Sequence, residues 1–114
     1  MLFVEDNVIW RALADPTRRE ILETIGRQAA TTGEIVEHFS NRIVRTAVMK
    51  HLDVLESARL IRIERIGRTR RNHIEREPLE AVAAWLEKRV QGHGNNLKRL
   101  KNLAETKSEP NKRL

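Results

Sequence analysis

Between Arg45 and Glu75 the hydrophobic period of the chain changes in mid-course. In RTAVMKHLDVLESA the apolar residues Val48, Leu52, Val54 or Leu55, and Ala58 recur at helical intervals, whereas LIRIERI alternates, with Ile61 and Ile63 on one face and Arg62 and Glu64 on the other. Helix must therefore give way to strand near Leu60, where β-branched residues favour the extended form. Gly67 in GRT is free to take a left-handed turn conformation, and RRNHIE predicts the returning strand. Any fold for this chain has to seat a helix beside an arginine-studded hairpin.

Upstream, VEDNVIWRALAD places Val4, Val8, Trp10 or Arg11, and Leu13 near helical spacing and predicts a first helix. Asp15 before Pro16 predicts the start of a second, because the carboxylate can accept from an early backbone N–H and proline fits the first turn. Ile21, Leu22 and Ile25 form its inward face, and Gly26 is expected to end it with a positive φ. Thr31 and Glu34 have the spacing of a capping box, and Ile35, Val36 and Phe39 complete a short third helix. Two helices separated by SNRIV make a helix-turn-helix candidate. Downstream, Pro78 marks a long helix in which Val82, Leu86, Val90, His93, Leu97, Leu100 and Ala104 follow a near 4-3-4-3 seam, the spacing of a helix laid along a partner. Gly92 and Gly94 leave its continuity open, and TKSEPNKRL reads as a disordered tail. The expected organisation is one domain over residues 1–105 and a tail over 106–114.

The 114 residues suffice for one domain, and a core of that size gains from association with a second copy. No cysteine is present, which removes disulfides, thiolate metal ligands and a cysteine nucleophile together and points to a reducing compartment. No apolar run approaches the roughly 20 residues that span a bilayer, and MLFVEDNVIW lacks the build of a secretory leader, so a cytoplasmic location without membrane attachment is expected. Charge is unevenly placed. The net charge of +6 equals that of residues 40–71 alone, where nine basic side chains face three acidic ones, while residues 1–39 carry a net −3 and residues 72–114 a net +3. A localised basic footprint suits a polyanion such as nucleic acid, although a solvated charged surface gives the same count.

The order helix, helix, short helix, turn, helix, hairpin, long helix is the layout of a winged helix-turn-helix. That is a mainly α, α+β fold in which one helix enters the DNA major groove and the wing follows the backbone or the adjacent minor groove. On that layout the helix from Arg45 reads base edges, and Arg62, Arg65, Arg68, Arg70 and Arg71 supply phosphate or minor-groove contacts. The blocks LADPTRREIL, AVMKHLDVLESARLI, GRTRR and PLEAVAAWL, met in this order within residues 8–105, resemble the ArsR family of bacterial winged-helix transcriptional regulators. The resemblance implies a homodimeric repressor on a palindromic or pseudo-palindromic operator in double-stranded DNA. It further implies dimer contacts from the first and last helices, here Val8, Trp10, Leu79, Val82, Leu86, Val90, Leu97 and Leu100. RTAVMKHLDVLE is similar in particular to members that use no metal. The family's recognition positions fall on Arg45, Thr46, Ala47, Met49, Lys50 and His51. Of these, Arg45 and Lys50 can donate to guanine or phosphate, Thr46 and Ala47 can touch a thymine methyl, and His51 can donate to base edge or backbone.

Three positions depart from the family pattern. Val44 stands where a Ser or Thr cap is usual, so capping is expected to shift upstream to Asn41 or Ser40 or the helix to fray. Arg59 replaces the usual glycine before the first wing strand and must either take a left-handed conformation or change the turn. His73 stands near a common tyrosine position in the second wing strand. Metal sensing would need the third-helix cysteine pair, which is absent, or a His and carboxylate site around His93 with Glu87 or His38 shared across a dimer. No cofactor and no catalytic residue is expected: Ser40 and Ser57 lack a base, Glu75 and Glu77 sit among surface charges, and there is no phosphate-cradling glycine loop. A metal-responsive repressor and a non-specific architectural nucleic-acid binder are the alternatives to the regulator reading.

Overall fold

The computed structural model describes residues 7–92. Five helices and three strands follow in the order α1 Asn7–Ala14, α2 Pro16–Arg27, β1 Ala30–Thr31, α3 Thr32–His38, α4 Arg45–Ser57, β2 Ile61–Ile66, β3 Thr69–Ile74 and α5 Arg76–Gln91. Contacts divide the chain at Glu80: the first unit holds α1 through β3 with the first turn of α5, and the second begins at Ala81. Val4, Leu97, Leu100 and the segment over 93–114, including the expected tail, lie outside the described residues.

The junction of α1 and α2 is built by DPTRRE. Asp15 takes the extended N-cap conformation and its Oδ2 accepts from the Arg18 backbone N–H at 3.1 Å, with Pro16 opening the helix. The next two arginines turn back. Arg18 donates to the carbonyls of Ala12 and Arg11 at 2.8 and 2.7 Å, and Arg19 to that of Leu13 at 2.8 Å. The last carbonyls of α1, which have no partner inside their own helix, are thus satisfied by charged donors from the next. Ile9 and Ala12 are the buried residues of α1, while Val8 is 42% exposed and Trp10 half-buried.

Gly26 does not end α2. The helix continues through Arg27 to an extended cap at Gln28, and Gly26 keeps a negative φ. Ile74 Cδ1 lies 3.4 Å from where a Cβ on Gly26 would sit, so the glycine lets the strand side chain approach the helix closely. The capping box of α3 is complete, with Thr31 Oγ1 accepting from the Glu34 N–H at 3.1 Å and Glu34 Oε1 from the Thr31 N–H at 2.8 Å.

α4 starts at Arg45, with Val44 as an N-cap that makes no side-chain hydrogen bond, so capping does not move to Asn41 or Ser40. The cost of an apolar cap is about 1 kcal/mol relative to Ser or Thr. At the other end, Leu60 N–H donates to the Leu55 carbonyl at 3.0 Å and Arg59 N–H to that of Glu56 at 2.9 Å, while Arg59 has φ of +62°. These two bonds form a Schellman motif, closed by Leu55 against Leu60, both fully buried. Of the two alternatives for Arg59, the chain adopts the left-handed one.

Val48, Leu52 and Leu55 line the inward face of α4, and Val54, at 36% exposure, does not belong to it. They meet Ile21, Leu22 and Ile25 of α2, Ile35 and Phe39, and Ala58, Leu60 and Ile61 in one core, with Leu79 packed on its edge. Each such aliphatic side chain contributes about 1.5–3 kcal/mol by burial, so truncating Leu55 to alanine would cost about 2–5 kcal/mol.

The wing is part of a three-stranded antiparallel sheet of order β1-β3-β2, where the sequence predicts a two-stranded hairpin. β1 spans Ala30–Thr31 and pairs Ala30 with Asn72 and Thr31 with Arg71. Asn72, fully buried, donates to the Ala30 carbonyl and Thr32 Oγ1, both at 3.2 Å, which ties the wing to the start of α3. The β2–β3 loop is Gly67 and Arg68, with Gly67 at φ +62° as a glycine-first two-residue turn requires.

Candidate nucleic-acid interface

The fold decides which face of α4 meets solvent. Val48, Leu52 and Leu55 take the inward face, leaving Arg45, Thr46, Lys50 and Asp53 exposed and Ala47, Met49 and His51 half-buried at the two flanks. Arg45 and Met49 flank the wing: together with Gly33, Arg68, Thr69 and Arg70 they line an open cleft of about 490 Å³. Among the described residues its lining contains three arginines and no carboxylate.

His51 lies on the other flank. Its Nδ1 accepts from Arg18 at 3.2 Å and is 4.0 Å from Asp15 Oδ2, and its side chain is only 21% exposed. Burial opposes ionisation of Asp15, but the hydrogen bond from the Arg18 N–H and the Arg18 charge outweigh it and hold the carboxyl below its usual range. The ring therefore anchors α4 against the start of α2.

The wing arginines separate into two sets. In the register of β2 and β3, Arg65 faces Arg70, Ile63 faces Asn72 and Ile61 faces Ile74, so the two arginines share the face that carries the core contacts farther down. Directly opposed like charges repel, and no acidic residue is paired with either. On the opposite face, Arg62 is bound to Glu75 at 3.2 Å, and His73 to Glu64 at 2.8 Å. Arg71 is half-buried and stands opposite Glu64. Structure brings Arg45, Arg68 and Arg70 to one cleft with Arg65 beside Arg70, and places Arg62 elsewhere.

Sequence reasoning missed the clasp that holds the turn between α3 and α4. Arg42 donates two hydrogen bonds to Glu20 of α2, at 3.0 and 2.7 Å, and its guanidinium lies 4.7 Å from the Phe39 ring centroid. His38 Nε2 is 2.9 Å from the same carboxylate. Those bonds, Arg42 first and then His38, hold the Glu20 carboxyl down at about 2 against desolvation. Only the eighteen- and twenty-two-residue separations of these pairs hid them, since nothing local links Glu20 to the turn. Among the described residues no group of three or more His, Asp or Glu side chains is placed to hold a metal ion, and His93 lies outside them. Nor is any described helix long and apolar enough to cross a membrane.

Residues 13–64 match the family of helix-turn-helix domains. The chain is 36% identical over 87 residues to the uncharacterized HTH-type transcriptional regulator YuzN of Bacillus subtilis, covering 71% of this chain and 95% of that protein. It is 38% identical over 61 residues to the transcriptional repressor SdpR of the same organism, covering 54% of this chain and 66% of SdpR. A crystal structure of an ArsR family transcriptional regulator superposes with a TM-score of 0.68 at 41% identity, over 75% of this chain and 86% of that one. The chain belongs to the ArsR family of transcriptional regulators. As an ArsR family member it is a DNA-binding regulator of transcription with a winged helix-turn-helix fold, and its α3 and α4 are the two helices of that motif.

Of the expected dimer positions in this ArsR family chain, Leu79 is half-buried on the core and Val82 is buried. Leu86 is 48% exposed and Val90 half-buried. Farther along the second unit, the Arg89 guanidinium lies 4.3 Å from the Trp85 ring centroid.

Proposed function

We propose that the protein is a homodimeric repressor that occludes a promoter by binding a two-fold symmetric operator. Its α4 enters the major groove and its wing flanks the site along the backbone. The observation that carries this reading is the convergence of Arg45 from α4 with Arg68 and Arg70 from the wing on one acid-free cleft beside the solvent face of α4. Arg45, Thr46, Ala47, Met49 and Lys50 are the base-reading residues, Arg65, Arg68 and Arg70 the principal phosphate contacts, and Arg62 and Arg71 lesser ones because carboxylates stand beside them. His51 acts mainly by orienting α4.

In a symmetric dimer the two reading helices stand about 34 Å apart, one helical turn of DNA. Val8 and Trp10 of α1 and Val82, Leu86 and Val90 of α5 supply the interface, a reading supported by the exposure of Val8 and Leu86. The name of SdpR, a repressor, favours repression over activation.

Selection of duplexes from a random pool by purified, metal-free protein at two salt concentrations tests the proposal. Recovery of a two-fold symmetric site bound by one dimer is the expected result. Salt-sensitive binding without sequence preference would favour the architectural alternative, and binding only after metal is added would favour the metal-responsive one. Leu86→Asp should weaken or split the dimer in sedimentation velocity.

A further inference from the structure

Val44 is 68% exposed, more than any other large hydrophobic side chain among the described residues. A single exposed valine is ordinary on a protein surface, but this one is the N-cap residue immediately before α4. It serves neither the core nor the helix: the side chain is out in solvent and makes no capping hydrogen bond. Its backbone is nonetheless held, because the Val44 carbonyl accepts from Ala47 and Val48 N–H groups at 3.0 and 3.2 Å. A β-branched side chain on a fixed backbone has few rotamers, so its two methyls point in a defined direction. Thr46 beside it is exposed and Ala47 is half-buried, and Arg45 between them lines the arginine cleft. The leading end of α4 is therefore a methyl-bearing spot set in a cationic surface.

The apolar group that the major-groove edge of a base pair offers to such a spot is the C5 methyl of a pyrimidine, carried by thymine or by 5-methylcytosine. We propose that Val44 is a specificity-determining residue that packs against a pyrimidine C5 methyl in each half-site, an inference that rests on α4 being the DNA-reading helix. A phosphate is a poor match, since the isopropyl group has no donor. Where helix starts generally carry a capping Ser, Thr, Asp or Asn, this one carries a group that caps nothing and can recognise a methyl.

The test uses the full-length chain and its selected duplex. Each thymine of one half-site is replaced singly by deoxyuridine, which deletes only the methyl, and affinities are measured at fixed salt for wild type, Val44→Ala and Val44→Ser. One replacement should weaken wild-type binding about three- to tenfold. Both variants, confirmed as folded by circular dichroism, should bind the thymine and uracil duplexes alike. At that position a 5-methylcytosine–guanine pair should bind wild type more tightly than an unmethylated pair and make no difference to the variants, which assigns the effect to the methyl from either source. Selected half-sites without a preferred thymine, or wild-type losses all within about twofold, would overturn the role of Val44 and leave the DNA reading intact. So would variants that keep the full thymine preference. Failure to bind any duplex would overturn both.

Discussion

Arg18 of α2 joins α1 to α4 through one guanidinium: it donates to His51 Nδ1 at 3.2 Å and to the Ala12 and Arg11 carbonyls at 2.8 and 2.7 Å. Because Nδ1 accepts, the neutral ring carries its proton on Nε2. The contact holds α4 against α2 from the flank opposite the wing. Arg18→Ala should destabilise the fold by about 1–3 kcal/mol in urea titration, the range for losing charged hydrogen bonds to helix-end carbonyls. Arg18→Lys should recover only part of that, since an ammonium cannot reproduce the planar fork.

Glu20 makes stability depend on acidity. Its carboxyl, ordinarily near 4.5, is held at about 2 by Arg42 and then His38. A depressed carboxylate stabilises the fold above its unfolded value and loses that contribution as pH falls through the folded one. Wild type should therefore lose stability between about pH 4.5 and 2 that Glu20→Gln does not lose, while at neutral pH the variant is the less stable. Urea midpoints measured against pH check this; parallel curves for the two proteins would show that the clasp contributes nothing.

Arg59 is the one non-glycine residue with positive φ among the described residues, at +62°. A left-handed conformation costs a residue with a Cβ about 1–2 kcal/mol. Arg59→Gly relieves this but gives the unfolded chain more freedom, so a net gain of about 0.5–1 kcal/mol is expected. Thermal unfolding should rise by a few degrees, and a fall in the midpoint would show that the guanidinium has a stabilising partner.

On the proposed DNA reading, Arg65 and Arg70 set stability against binding. Since they face each other across β2 and β3, Arg65→Gln should stabilise the free protein by about 0.2–1 kcal/mol. The same change should weaken binding to all duplexes and lower the slope of log affinity against log salt by about 1. Arg62→Gln, which breaks an ion pair with Glu75, should change the slope less. Equal slopes for all three proteins would remove the wing from the interface.

Local chemistry was enough to read most of the elements. Asp15 and Pro16 start α2, Thr31 and Glu34 box α3, and Gly67 turns the wing, because each signal acts within about four residues and depends on no distant partner. The spacing of Val48, Leu52 and Ala58 likewise marked the inward face of α4, and the fold chose Leu55 over Val54 to complete it. Gly26 was misread because glycine permits a helix end without requiring one, and here close approach of Ile74 explains it better. β1 was invisible because two residues carry no period, and pairing with Asn72 and Arg71 forty residues away defines it.

By itself, then, the sequence determined the order of the helices and of the two wing strands, the core face of α4 and the basic character of residues 40–71, all consequences of short-range hydrogen bonding, periodicity and composition. Tertiary structure alone decided which cations act together. Arg18, Arg42 and Arg62 are bound to protein groups, whereas Arg45, Arg68 and Arg70 converge on an acid-free cleft. A count of arginines cannot separate these sets, because a charge is neutralised by whatever the fold brings within a few ångströms of it.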